Sequence, residues 1–268
     1  MKNINPYLVE GNDFVVSKSS KNLFCPSPIS YGSFALDDGN FTLSESDKDL
    51  IISSEPKTKK FIRSFIGSEE LINSKKRFCL WLLDANPSEI NQLKKIRERV
   101  LAVKEWRNQS ERMATKKLAE TPTVFAEIRQ PNTRFLAIPT LSSVRRRYIP
   151  IGFLEPEIIA SNQLYIVPNA DLFTFGVITS EMHMDWLRQT GGTFKSDYRY
   201  SSTIVYNNFP FPQQVDPKQK KKVETAAQAV LDTRAKYPDS SLADLYDPLT
   251  MPPDLVKAHQ ALDKAVDL

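Results

Sequence analysis

The strongest hydrophobic pattern of the chain begins after Asn86. Asn86 is a favourable helix N-cap, Pro87 suits the first helical position, and Glu89 stands at the third. Apolar residues then recur at intervals of three or four, which places them on one helix face. They are Ile90, Leu93, Ile96, Val100, Val103 and Trp106. The pattern predicts a long helix over 87–119. Nine Lys or Arg against five Asp or Glu between Glu89 and Glu120 make its other face basic.

Shorter patterns predict further helices. Ser44, with Asp47 three residues later, is typical of a capped helix, here to about residue 53. Residues 170–189 predict a helix in two pieces. An amphipathic pattern over 216–236 and a final helical stretch predict a small helical C-terminal region, 213–268.

Strand-like runs lie between these helices. Residues 77–82 are rich in aromatic and apolar side chains and are bounded by polar runs, which favours a buried strand. Residues 121–130 and 134–138 predict two strands joined by a turn at Pro131 and Asn132. Two more strand-like runs are 149–153 and 164–167. The predicted fold class is α/β (α+β mixed), with a sheet-containing domain over 1–212 that includes the long basic helix.

Residues 139–150, PTLSSVRRRYIP, contain three consecutive arginines after a Ser-Ser pair. If this stretch is extended, Arg145 and Arg147 point to one face and Arg146 to the other. Each guanidinium is a planar fork of donors that can bind a phosphate or the O6 and N7 edge of guanine. Ser142 and Ser143 can add hydroxyl contacts. A solvated basic loop is the alternative interpretation.

Two other stretches have side chains suited to a nucleic-acid backbone. Residues 191–212 interleave cations, tyrosines and hydroxyls, and 107–117 mix cations with Asn, Gln, Ser and Thr. A tyrosine-rich loop packed on the core is the alternative for the first stretch. The candidate backbone contacts are Arg112, Lys116, Lys117, Arg129, Lys195, Tyr198, Arg199 and Tyr200.

Composition and charge narrow the class of protein. The 268 residues carry a net charge of +4, and the 215 residues before Asp216 carry +5, so a nucleic-acid surface is expected there. Cys25 and Cys79 are far apart and have no metal-type spacing, and the two histidines are isolated, so no metal site is predicted. The chain shows no signal peptide and no apolar run of membrane-spanning length, which predicts a cytoplasmic protein without a membrane partner.

A series of motifs along the chain resembles one family. In order they are NPYL, KKRFCLWL, KKLAETP, EIRQP, SSVRRRYIPIGF, HMDWLR, KSDYRYS, IVYNNFPFP and LADLYDPLTMPP. Together they resemble the C-terminal part of MmeI-like, type IIL DNA methyltransferases, bacterial restriction-modification enzymes in which modification and sometimes cleavage share one polypeptide. The resemblance covers nearly the whole chain. It implies a target-recognition domain followed by a helical tail, with double-stranded DNA and the methyltransferase domain of the same parent polypeptide as partners.

The resemblance also implies roles for particular residues. Arg146 is the first choice for a base contact, with Val144 as its neighbour. Related sequences often have an acidic residue where this chain has Val144; a carboxylate accepts from cytosine N4, whereas valine offers only apolar contact, for instance to a thymine methyl. The base that this chain reads at that position is therefore expected to differ from the base read by a relative with an acidic residue there.

The family methylates adenine N6 with S-adenosylmethionine, but this chain lacks the sequence motifs for that chemistry. It has neither a glycine-rich strand-to-helix turn nor an Asn/Asp-Pro-Pro-aromatic motif. We therefore expect no cofactor and no catalytic residue in this fragment, with S-adenosylmethionine bound by the parent enzyme. Two alternatives stay open: a specificity-subunit-like DNA-binding protein, although no internal repeat is visible, and a basic scaffold for an acidic protein partner.

Overall fold

A computed structural model of the chain describes residues 4–5, 10–11, 15–25 and 27–267. The strands are β1 Ser30–Tyr31, β2 Thr42–Leu43, β3 Ile62–Ile66, β4 Phe78–Leu80, β5 Phe135–Pro139, β6 Leu141–Ser142, β7 Gly152–Leu154, β8 Ile159–Ala160, β9 Leu164–Pro168, β10 Gly192–Phe194 and β11 Asp197–Arg199. The helices are α1 Glu45–Ser54, α2 Ser68–Asn73, α3 Pro87–Gln92, α4 Lys94–Gln109, α5 Met113–Lys117, α6 Leu172–Thr179, α7 Glu181–Thr190, α8 Pro217–Ala235, α9 Leu242–Leu245 and α10 Pro253–Val266. Of the NPYL motif, only Asn5 lies within the described residues.

The central sheet has the strand order β1-β9-β5-β7 and is antiparallel throughout. Because successive side chains of a strand point to opposite faces, β5 supplies two cores. Leu136 and Ile138 pack into the largest hydrophobic cluster, whereas Phe135 and Ala137 pack into a smaller cluster on the other face. All four side chains are fully buried, as expected for a strand covered on both faces.

A second sheet, β2-β4-β3-β8, lies against the helices of the first half of the chain. β2 and β3 both pair antiparallel with β4, and β3 pairs parallel with β8. The apolar stripe of α3 and α4 contributes Ile90, Leu93, Ile96, Val100 and Val103 to the core of this sheet. The buried strand predicted over 77–82 is confirmed in its central part by β4.

The C-terminal helices share the core of the central sheet. α8 packs on α10 and on α6, and residues such as Val223, Leu255 and Leu262 belong to the same hydrophobic cluster as Leu136. Gly176 of α6 allows the close approach of α8, since a Cβ at this position would lie 2.8 Å from a methyl carbon of Val223. The predicted helical tail is confirmed, and it packs as an extension of the main core.

The long helix predicted over 87–119 is wrong in its continuity. The capped start at Asn86 forms as expected, but Leu93 is extended (φ −101°, ψ 95°) and separates α3 from α4. A second break at 110–112 separates α4 from α5, where the Ser110 side chain accepts a hydrogen bond from the Arg112 N–H. Serine competes for backbone donors in this way and favours helix ends.

The strand predicted over 121–130 is also wrong. It makes only an isolated bridge, Phe34 with Glu127. At the end of this segment, the Gln130 side chain takes the place of backbone hydrogen bonds between strands. Its amide donates to the carbonyls of Pro156 and Ile158 and accepts from the Ala160 N–H. The neighbouring prediction of a strand over 134–138 is confirmed by β5.

The mixed α/β fold with sheets and a helical C-terminal region is confirmed. In the part of the chain that the structure describes, no helix is long and apolar enough to cross a membrane.

Candidate nucleic-acid interface

The arginine stretch begins as a strand and then bends. Ser142 of β6 pairs with Tyr198 of β11, but the Arg146 N–H donates to the Ser143 carbonyl at 3.1 Å and closes a turn. The Arg145 N–H also points to the Ser143 hydroxyl, at 3.3 Å. Hydroxyl side chains favour such turns because they satisfy the next backbone donors. The extended conformation considered for residues 139–150 therefore ends at Ser142. We call residues 143–147 the arginine turn.

The three arginines of this turn differ in their partners. Arg147 Nε donates to Glu181 Oε2 at 2.7 Å, and Arg145 lies 3.7 Å from Asp247, yet both side chains are more than half exposed. Exposed ion pairs of this kind are weak and exchange readily. The carboxylates therefore do not remove Arg145 and Arg147 from the surface.

Arg146 has no ion pair among the described residues. Its side chain is half-buried, and its Nε is fully buried without a hydrogen-bond partner in the described part of the chain. Burial lowers the pKa of the guanidinium, an effect that the carboxylates of Asp197 and Asp247 oppose. Because Nε is enclosed, a ligand would pair with the terminal nitrogens of this guanidinium, and a partly desolvated cation without a partner is costly.

The serines of the stretch do not share one environment. Ser142 is only 4% exposed and its hydroxyl faces the interior, because alternation along β6 turns Leu141 outward and Ser142 inward. The prediction that Ser142 contacts bases is therefore wrong. Ser143 is half-buried and Val144 is 47% exposed, so both remain at the surface of the arginine turn.

The second basic stretch lies beside the first. β10 and β11 form a hairpin with Lys195 in its turn, and β11 pairs with β6 so that Arg199 lies opposite Leu141. Lys195 and Arg199 are exposed, whereas Tyr198 is half-buried against the core. This pairing brings Ser142 and Tyr198, which are 56 residues apart in sequence, into one small sheet.

Tyr200 contradicts its predicted role. The side chain is 2% exposed, and its hydroxyl lies 2.9 Å from Nε2 of the buried His183. The reason is again strand alternation, since Tyr198 and Tyr200 point inward while Arg199 points outward. For Tyr200, packing on the core is the correct interpretation.

The third basic group lies on α5 and at the residue before it. Arg112, Lys116 and Lys117 are exposed and form no ion pair with any described residue. Arg129 is different, because its guanidinium lies 2.5 Å from Glu127 Oε2 and would have to exchange that carboxylate for a phosphate. Arg107, at the start of the predicted basic segment, is fully buried and donates to five backbone carbonyls.

Sequence comparison adds a family to this geometry. The family described as "MmeI, target recognition domain" matches residues 10–213, and "MmeI, C-terminal domain" matches residues 215–268. The chain belongs to the MmeI family. The resemblance derived from the order of the motifs is therefore confirmed.

Two known proteins are similar to this MmeI-family chain along nearly its whole length. DNA methyltransferase A of Bacillus subtilis (strain 168) is 34% identical over 267 residues, which is 100% of this chain and 30% of that protein. The solved structure of the type IIL restriction-modification enzyme MmeI in complex with DNA is 45% identical, with a TM-score of 0.96 over 99% of this chain and 35% of that chain. The chain thus spans about a third of the length of these relatives.

Sequence reasoning missed a groove of this MmeI-family chain between the β8–β9 connection and the β10–β11 hairpin. A cavity of about 310 Å³ is lined by residues that include Thr140, Asn162, Gln163 and Arg199. The two amides occupy the short connection between β8 and β9 and are exposed. Their position between two strand-like runs was visible in the sequence. Their proximity to Arg199 depends on the pairing of β11 with β6.

Proposed function

We propose that this chain is the sequence-specific duplex-DNA recognition module of a longer DNA (adenine-N6) methyltransferase. The observation that carries the proposal is the unsatisfied, half-buried guanidinium of Arg146 on an exposed turn. A guanine edge offers O6 and N7 acceptors to such a fork in the major groove. Val144, Arg145, Arg147 and Ser143 stand beside it as further base contacts.

The remaining exposed cations suit phosphates. Lys195 and Arg199 lie on the hairpin that pairs with β6, and Arg112, Lys116 and Lys117 form a separate group at α5 and the residue before it. Cationic side chains grip the sugar-phosphate backbone without regard to sequence, whereas base contacts specify. Tyr198 and Arg129 are weaker candidates for the same backbone, since one is half-buried and the other has a carboxylate partner.

The whole polypeptide supplies the chemistry in this proposal. S-adenosylmethionine would be bound by the methyltransferase domain of the same parent protein, which acts in the cytoplasm where it meets cellular DNA. Residues 1–212 would form the target-recognition domain and residues 213–268 its helical C-terminal region. The MmeI structure with DNA and the similarity to DNA methyltransferase A support this assignment.

Selection from a pool of duplexes with a randomised core tests the proposal. The 268-residue chain should enrich one sequence, and Arg146→Ala should lose the preference at one base pair, a change of about 1–3 kcal/mol in discrimination. Arg134→Ala is a matched control, because Arg134 precedes β5 at the end remote from the arginine turn, about 17 Å away along the strand. A wild-type chain that enriches no sequence would contradict the proposal. Little salt-dependent binding to random duplex DNA would favour a protein-interaction scaffold.

A further inference from the structure

The residue that follows the arginine turn is anchored by the last helix of the chain. Tyr148 is 2% exposed, and its hydroxyl donates to Asp263 Oδ2 at 2.6 Å. Its ring stacks on His259, with the centroids 4.0 Å apart and the planes 19° from parallel. Asp263 and His259 both belong to α10, so the C-terminal region contacts the chain two residues beyond Arg146.

A second contact from the C-terminal region holds the same segment. Arg234 of α8 donates to the Ile151 carbonyl at 2.6 Å and to the hydroxyl of Tyr246. That hydroxyl in turn lies 2.8 Å from Nε2 of His259. The stack on Tyr148 and the clamp on Ile151 therefore belong to one buried network of side chains.

Asp263 also contacts the helix that holds Arg147, the residue next to Arg146. Its Oδ1 accepts the Glu181 N–H at 2.8 Å, at the first residue of α7. The Glu181 carboxylate accepts from Arg147, and Arg188 donates to the Arg147 carbonyl at 3.1 Å. One buried carboxylate thus connects Tyr148 to the helix end that holds Arg147.

Arg146 depends on this frame because none of the described residues holds its guanidinium. Its direction is set by the backbone of residues 145–148 and by packing at the half-buried stem. A group that reads a base must be held to about 0.5 Å and 10–20°, and a displacement of about 1 Å at a reacting or binding group can cost about a hundredfold. The contacts of Tyr148 with Asp263 and His259 therefore determine how accurately the Arg146 guanidinium is placed against a base.

We propose that Asp263 and His259 are positioning residues that hold Arg146 in its base-reading geometry through Tyr148. Sequence discrimination then depends on the C-terminal helical region, although that region carries no proposed base contact. The inference rests on the proposed function of Arg146. It assigns to α10 a role in specificity beyond the packing of the core.

The test compares two Tyr→Phe variants of the 268-residue chain. Tyr148→Phe removes the hydroxyl bound to Asp263 and keeps the ring that stacks on His259. Tyr237→Phe is the matched control, because Tyr237 donates to Asp254 Oδ1 at 2.8 Å within the C-terminal region and makes no described contact with the arginine turn. The measured quantity is the ratio of affinities for the selected duplex and for a duplex changed at the base pair that Arg146→Ala affects.

Tyr148→Phe should lower this ratio by roughly tenfold, while affinity for random duplex and its salt dependence stay unchanged. Tyr237→Phe should leave the ratio unchanged. In an Arg146→Ala background, Tyr148→Phe should have no further effect on discrimination, because Tyr148 acts through Arg146. A purely structural anchor would instead lower both affinities together.

Asp263 gives an independent variant if Tyr148→Phe is destabilised. Asp263→Asn keeps an oxygen for the Glu181 N–H and an amide that can donate to Tyr148, so it should retain more discrimination than Asp263→Ala at equal folded fraction. A ratio that Tyr148→Phe leaves unchanged, or an additive loss in the double variant, overturns the inference while the proposed function stands. A wild-type chain without any sequence preference overturns both.

Discussion

Replacing Arg107 by methionine should destabilise the fold strongly, because its guanidinium satisfies carbonyls from two separate segments, 35–36 and 118–124. It donates to Ala35 and Leu36 at 2.9 and 3.0 Å, and to three carbonyls after α5 at 3.0–3.2 Å. The side chain is fully buried, and burial lowers the pKa of the guanidinium. The cation is tolerated because its donors are all used.

The loss in free energy of unfolding depends on how many of the five carbonyls have Arg107 as their only hydrogen-bond donor. The carbonyls of Ala35, Leu118 and Thr121 also accept from backbone N–H groups. Those of Leu36 and Val124 have Arg107 as their only donor among the described residues. Leaving a buried carbonyl unsatisfied costs about 1–3 kcal/mol, so Arg107→Met should lower the free energy of unfolding by about 2–6 kcal/mol. Removal of the buried charge offsets part of this, but the carbonyls remain in place.

Urea denaturation of the two proteins measures this difference directly. Arg97→Met is the control, because Arg97 lies on the same helix, is exposed and forms no ion pair with a described residue, so its effect should stay within about 0.5 kcal/mol. A loss below about 1 kcal/mol for Arg107→Met would refute the account of the buried carbonyls.

Two further predictions concern pH and salt. Burial lowers the pKa of His183 to about 3, below the value of about 6.5 expected in the unfolded chain. The folded protein therefore favours the neutral imidazole. Its contribution to the free energy of unfolding is complete above pH 6.5 and is lost as pH falls towards 3. His183→Gln should reduce the pH dependence of the free energy of unfolding between pH 6 and 4 by about 1.4 kcal/mol per pH unit, and an unchanged slope would contradict this. Lys117→Gln should weaken binding to all duplexes alike and reduce the slope of log affinity against log salt by roughly one, whereas a sequence-dependent loss would exclude a phosphate contact.

Features encoded by neighbouring residues were predictable from sequence. The Ser44 capping box with Asp47 and the Asn86 cap form as predicted, since each needs only side chains within one helical turn. The amphipathic pattern of α8 fixed its buried face for the same reason. The two helices over 170–189 meet at Ser180, which caps α7.

Features that depend on distant partners were not predictable. The buried role of Arg107 depends on carbonyls about 70 residues earlier, and nothing in its neighbourhood distinguishes it from the exposed Arg112. Tyr200 and Ser142 point inward only because β6 pairs with β11, which sets the register of both. The order of motifs predicted the family, but the direction of each side chain came from pairing across the sheet.

Around the arginine turn, the residues proposed to contact bases lie at the surface, and the residue that anchors the turn is buried. Val144 and Arg146 reach the surface, whereas Tyr148 lies beneath them in contact with α10. On the proposed function, a substitution at Val144 changes which base is contacted without disturbing the anchor, because Val144 is exposed and makes no part of the buried network. A substitution at Tyr148 changes how accurately any base is read. Base preference and accuracy would therefore be encoded two to four residues apart, one at the surface and one in the shared core.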